Sequence, residues 1–218
     1  MLRTPERELM NDEEQALAYA RADFGASNQR FVDAALRIGP RPGRRAIDLG
    51  CGPGDVTIRL ARAASDMHVT AVDGSAAMLR LARRAVTVAG LDRRVRLVGA
   101  RLPALPFEAG SFDAVLSKDL LHHLADPTVL WRAVANLGRP GAVVCVMDLV
   151  RPDTREAAQA VVDAAAADED PILRLDFFNS LCAAFTPDEV SGQLAAAGLA
   201  LDVSPIGDRH LLVAGTLA

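Results

Sequence analysis

Lysine is almost missing from this chain. Of 24 lysines and arginines among 218 residues, only Lys118 is a lysine. That bias fits a GC-rich, bacterial coding background and says nothing about partners. No long basic stretch offsets the 28 acidic residues, and the formal net charge is −4. An extended phosphate backbone is therefore a poor partner, and no nucleic acid is expected. Cysteine is scarce, odd in number and widely spaced (Cys51, Cys145, Cys182), which argues against a disulfide framework and a zinc site alike. No run of about 18 apolar residues is free of charge, so no membrane span is expected. The opening "MLRTPERELMNDEEQ" has no apolar h-region, so it does not read as a signal peptide. A soluble cytoplasmic protein, monomer or homodimer, is the expectation.

What is present is apolar: half of the residues are hydrophobic, enough to bury a sizeable core. The first part predicts two helices, "DEEQALAYARADF" and "SNQRFVDAALRI". Acids open the first, Ser27 or Asn28 would cap the second, and Gly39-Pro40 would end it. "RPGRR" is a loop. Residues 1–40 form a helical lid, and 41–218 the main domain. From 45 onward, short apolar runs alternate with amphipathic ones. "RAIDLG", "HVTAVD", "RVRLVGA", "FDAVLS" and "GAVVCVMDLV" read as strands. The stretches between the first three, and "PTVLWRAVANLG" before the fifth, read as helices. This order predicts an α/β fold with a parallel sheet and helices on both faces. A helical insert covers 153–184, broken at "DEDP". "TPDEVSGQLAAAG" predicts a helix from Thr186 to Gly198, and an antiparallel hairpin turning at Gly207-Asp208 closes the chain.

"AIDLGCGPGD" places Gly50, Gly52 and Gly54 between the first strand and its helix, where backbone amides can approach a ligand closely. A dinucleotide fingerprint would need glycine at 55; that residue is Asp55. Asp48, just ahead of the loop, would meet a pyrophosphate with like charge and suits an ammonium or sulfonium instead. Asp73 ends the second strand, where an acid accepts both hydroxyls of a ribose. The ligand implied is a nucleoside with a cationic, phosphate-free arm.

In this combination "IDLGCGPG", "VDGSAAML", "LPFEAGSFDAVLS" and "LHHLADP" resemble motifs of the class I S-adenosylmethionine (SAM)-dependent methyltransferases. The likeness is strongest to the small-molecule branch typified by ubiquinone/menaquinone-biosynthesis enzymes. It implies a Rossmann-like, doubly wound sheet of seven strands, mostly parallel with an antiparallel last strand. It also implies SAM as cofactor, S-adenosylhomocysteine as product and a small-molecule acceptor. Carried over by residue, Gly50, Cys51, Gly52 and Gly54 would approach the methionine and ribose, Asp48 would organise the loop and the amino group, and Asp73 would hold the ribose. Gly74 and Met78 would lie near the adenine, with Arg101 and Leu102 close by. Ser117 and Lys118 would stand on the cofactor side, although a solvated loop lysine is the plainer expectation for Lys118. Arg101 departs from the family, which often has an acid there. Arginine only donates and cannot accept from the adenine amine, so stacking or a solvated position remains for it.

Acceptor chemistry is expected after the fourth strand, at the carboxyl edge where ligands bind in open sheets. Asp119, His122 and His123 are the candidate catalytic residues, one histidine serving as base. No metal is expected, because adjacent histidines chelate poorly and His68 and His210 have no ligand spacing with them. Acceptor contacts are expected from Tyr19, Phe24, Asn28 and Arg30, from Asp176, Phe177, Phe178 and Asn179 in the insert, and at the rim from Asp148, Arg209 and His210. The function implied is methyl transfer to an oxygen or nitrogen. The rival readings are a SAM-binding fold put to other chemistry or to binding, an NAD-dependent oxidoreductase disfavoured by Asp55, and nucleic-acid methylation disfavoured by charge.

Overall fold

The computed structural model describes residues 1–6, 11–38 and 45–218. The expected helix stop at Gly39-Pro40, the "RPGRR" loop and the boundary between lid and main domain fall outside these residues. Seven strands form one sheet: β1 (Arg45–Leu49), β2 (His68–Asp73), β3 (Val95–Gly99), β4 (Phe112–Lys118), β5 (Gly138–Leu149), β6 (Asp202–Ile206) and β7 (His210–Thr216). Their order is β3-β2-β1-β4-β5-β7-β6. β7 runs antiparallel to both neighbours, and the pairs among β1–β5 are parallel. The doubly wound, seven-stranded expectation holds. β5 begins at Gly138, three residues earlier than its apolar run suggested. Pairing with Phe112 draws Gly138 into the sheet ahead of a bulge.

The helices are α1 (Glu13–Arg21), α2 (Gly25–Arg37), α3 (Asp55–Ala63), α4 (Ala76–Val88), α5 (Thr128–Leu137), α6 (Arg155–Ala165), α7 (Pro171–Ala183) and α8 (Pro187–Ala197). Side chains alternate across a strand, and β5 divides accordingly. Val143, Cys145 and Met147 join the core under α2 and α3, while Val144 and Val146 join the core under α5 and α8. Thr186 and Glu189 close a reciprocal capping box on α8, and Gly198 ends it in the left-handed region, as its sequence predicts. α2 is the exception. It starts at Gly25 rather than after Ser27 or Asn28, with Phe24 at the cap and no side-chain bond. Asn28 is instead drawn to Asp55, to which its amide donates at 2.8 Å.

Trp131 anchors the α5–α8 face. It is fully buried, and its indole N–H donates to Gln193 Oε1 at 2.9 Å. Trp131→Ala removes a large core side chain and its hydrogen bond, so it costs about 3–5 kcal/mol. Urea unfolding should show this as a lower midpoint at unchanged slope.

The strand order reverses between β1 and β4. Their carboxyl ends, Leu49 and Lys118, therefore flank the crevice where an open sheet binds ligands.

Candidate active site

β1 leads into a loop that reverses through three left-handed glycines. At Gly52 (φ +52) a Cβ would meet nothing within 4 Å, so this residue faces open space. At Gly54 (φ +92) a Cβ would lie 3.3 Å from the Cβ of Ala82 in α4. Gly54 thus lets α3 and α4 approach each other. It does not line the clefts, unlike Gly50 and Gly52, so it serves packing where a ligand contact was expected.

The first cleft lies over the ends of β1 and β2. Gly50, Gly52, Asp73, Gly74, Met78, Arg101 and Leu102 line it, together with Lys118. Asp73 is clamped from behind: Gly52 N–H donates to Oδ2 at 2.8 Å and Ser75 N–H to Oδ1 at 2.7 Å. Burial raises its pKa, against those amide bonds. Asp48 and Cys51 line an adjoining hollow beside α2. Asp48 accepts a 2.5 Å hydrogen bond from Thr57 Oγ1, and burial pushes its carboxyl up to about 6. The Cys51 thiol is pushed well up by burial and by Asp48, so it is no nucleophile. Two carboxylates held at the edge of an open cleft, each disfavoured by desolvation, suit a cation and a diol. They do not suit a pyrophosphate.

A larger cavity of about 580 Å³ lies on the other side of β4's end, under α1, α2 and α7. Its size is that of a small-molecule site. Tyr19, Phe24 and Arg30 line it from α1 and α2, and Asp176 and Phe177 from α7. Phe178 and Asn179 do not line it. Phe178 packs against the α6 cluster under the guanidinium of Arg155, 4.9 Å from the ring centroid. A helix can turn only part of one segment toward a cavity, and α7 turns Asp176 and Phe177. Asn28 lines the Asp48 hollow instead. Tyr19 and Phe24 are in ring contact, with centroids 4.7 Å apart. The two N-terminal helices are each tied to the rest of the protein: Gln15 of α1 donates to Asp176 at 2.8 Å, while in α2 Asn28 donates to Asp55 at 2.8 Å and Gln29 accepts from Arg59 at 3.1 Å.

Tyr19, Lys118 and Asp119 border the first cleft, the Asp48 hollow and the large cavity alike. Lys118 is not a solvated loop residue. Its side chain is 5% exposed and ion-paired with Asp119. Asp119 adopts φ +54, a conformation that aspartate tolerates better than most. Burial would raise its pKa, but Lys118 and then His210 outweigh burial and hold it low. Removing one member of a buried pair leaves the other uncompensated. Lys118→Met should therefore cost about 3 kcal/mol, read from the urea midpoint.

His210 was expected at the rim. It is buried at the cavity wall, with Nε2 3.7 Å from Asp119 Oδ1. Burial lowers its pKa, against the pull of Asp119, so its ring is neutral at neutral pH. Asp119 Oδ1 and His210 Nδ1 are both buried without a hydrogen-bond partner. Asp148 is not a rim residue. It sits behind the 3-10 turn Leu121–His123, accepting from Leu121 N–H at 2.8 Å and meeting His122 Nδ1 at 2.7 Å. Burial alone would lower the His122 pKa. Asp148, and then Glu6, outweigh it and bring the ring to about 8. Ser117 donates to the Leu49 carbonyl at 2.9 Å and borders none of these cavities. Glu6 had no signal in the sequence. It reaches the histidine pair on an N-terminal strap tied down by Thr4 N–H to Cys182 O and by Arg3 to the carbonyls of His122 and Leu124.

Residues 46–141 match a family model described as a methyltransferase domain. The chain is 31% identical over 160 residues to 27-O-demethylrifamycin SV methyltransferase of Amycolatopsis mediterranei, covering 68% of this chain and 58% of that one. It is 37% identical over 117 residues to ubiquinone biosynthesis O-methyltransferase of Methylocella silvestris, covering 53% and 44%. The chain belongs to the class I SAM-dependent methyltransferase family. It spans about half the length of these relatives. The chain also superposes on a SAM-dependent methyltransferase from Aquifex aeolicus with a TM-score of 0.72 over 94% of this chain and 98% of that one, at 17% identity. SAM is the family's cofactor, and the clamped Asp73 and the open face of Gly52 fit its ribose and backbone-hugging arm.

Proposed function

We propose that this methyltransferase transfers a methyl group from SAM to an oxygen or nitrogen of a small molecule held in the 580 Å³ cavity. The observation that carries this reading is the wall of Tyr19, Lys118 and Asp119 shared by the cofactor cleft and that cavity. Bound in the cleft, SAM supplies a methyl group already activated on a sulfonium. The chain's task is then placement, exclusion of water and removal of one proton. Asp73 holds the ribose hydroxyls, and Asp48 balances the ammonium. Tyr19 and Phe24 close the lid side, and Phe177 forms an apolar wall for the acceptor.

Of the three residues expected to carry chemistry, Asp119 and His123 stand on the shared wall. His122 is turned between two carboxylates. Proton removal falls best to His210, which is neutral, buried at the cavity wall and 3.7 Å from Asp119. His210→Gln should lower kcat by about 10²–10⁴-fold and leave the SAM Kd unchanged. The assay is S-adenosylhomocysteine release over a panel of hydroxyl- and amine-bearing metabolites. An acceptor consumed without S-adenosylhomocysteine would point instead to non-methylating chemistry. No helix among the described residues is long and apolar enough to cross a membrane. A cytoplasmic monomer or homodimer that does not bind nucleic acid completes the proposal.

A further inference from the structure

Glu6, His122 and His123 converge on one point beside the large cavity. Glu6 Oε1 lies 3.5 Å from His122 Nε2 and 3.1 Å from His123 Nδ1. All three ligand-type atoms fall within 4.8 Å of one another. Two metal bonds of about 2.0–2.1 Å at a tetrahedral angle place neighbouring ligand atoms about 3.3 Å apart. The Glu6 contacts bracket that spacing. The His122 contact is also longer than an ordinary N–H···O bond.

Adjacent histidines seldom chelate, because like nitrogens on successive residues point apart. Here the two rings lie side by side, centroids 4.2 Å apart and 35° tilted. They offer different nitrogens, the far one of His122 and the near one of His123. The other nitrogen of His122 meets Asp148 at 2.7 Å, the carboxylate partner that orients a metal-bound imidazole and makes it a better donor. Ser180 Oγ donates to Glu6 Oε1 at 3.0 Å and fixes the third ligand. His122, His123 and Ser180 all line the large cavity, so a fourth ligand can arrive from that side.

We propose that Glu6, His122 and His123 bind a divalent transition-metal ion of the zinc class, with its open position toward the acceptor cavity. Two imidazoles and one carboxylate suit zinc, cobalt or nickel rather than magnesium or calcium, which take oxygen ligands. The site itself stands independently of the proposed methyl transfer. Its use rests on that reading: an acceptor oxygen entering the cavity would complete the coordination and be held beside the shared wall.

The test is Co²⁺ titration of chelator-treated full-length protein, followed by visible absorption and isothermal calorimetry. The expected result is one Co²⁺ per chain, with visible bands of a low-coordinate nitrogen–oxygen site and competition by Zn²⁺. Glu6→Gln and His123→Ala should abolish the bands. Asp148→Asn should weaken binding about 10–100-fold. The urea-unfolding midpoint of each variant is the control for folding. Absence of bands in protein that binds S-adenosylhomocysteine would overturn the metal site and leave the methyltransferase reading standing. Bands that persist in both Glu6→Gln and His123→Ala would overturn it equally, because the ion would then sit elsewhere.

Discussion

Asp73→Ala should weaken SAM binding at least 100-fold. The carboxylate sits at the end of β2 with each oxygen already fixed by a backbone amide, from Gly52 and from Ser75. Those bonds orient its remaining lone pairs into the cleft. A ribose diol placed there makes two hydrogen bonds to a charged group, each contributing about 1.5–3 kcal/mol. Alanine removes both and also releases the Gly52 amide that shapes the glycine loop. Calorimetric titration with SAM measures the change. Affinity within a few-fold of the parent would remove Asp73 from the ribose assignment.

Asp48→Asn should make the free protein more stable while it weakens SAM binding. Burial raises the Asp48 pKa from 3.8 to about 6. A carboxyl with a higher pKa in the fold than in the unfolded chain holds its proton more tightly when folded. Folded protein therefore binds more protons than unfolded protein between about pH 4 and 6, and stability falls as pH rises through that window. Above it the loss is complete, about 3 kcal/mol for a shift of this size. Asparagine carries no charge to desolvate and still offers an oxygen to Thr57. Urea unfolding should show the parent losing stability from pH 4 to 7 and the variant losing markedly less, with the variant the more stable at pH 7. An ammonium in the adjoining hollow would recover the cost in the parent alone, so SAM affinity should drop about tenfold or more in the variant. A variant less stable than the parent at pH 7 would contradict the uncompensated charge.

Much of this was legible in the sequence. Alternating apolar runs and glycine stops place strands and helices because these signals are local, as at Thr186 and Gly198 of α8. The G-x-G-x-G spacing and Asp73 mark the cofactor side because the chemistry lies within one β-α-β unit. What failed to show depended on distant partners. Lys118 reads as a surface lysine, yet its side chain is buried and paired with Asp119. Asp148 reads as a strand-end rim acid, yet it is committed to the Leu121–His123 turn. Gly54 reads as part of a ligand loop, though Ala82, 28 positions on, explains it. Glu6 and His210 meet the β4 loop from opposite ends of the chain, and neither lies in a motif. α2 starts earlier than its sequence predicts because Asn28, a good local cap, bonds Asp55 on another helix.

The most direct measurement is a crystal structure of the protein with S-adenosylhomocysteine. The expected density lies between Gly52, Asp73 and Met78, its ribose on Asp73 and its sulfur end toward the wall of Tyr19 and Asp119, with the large cavity open beyond. A ligand seated in the large cavity, or one whose ribose avoids Asp73, would contradict the division into a cofactor cleft and an acceptor cavity.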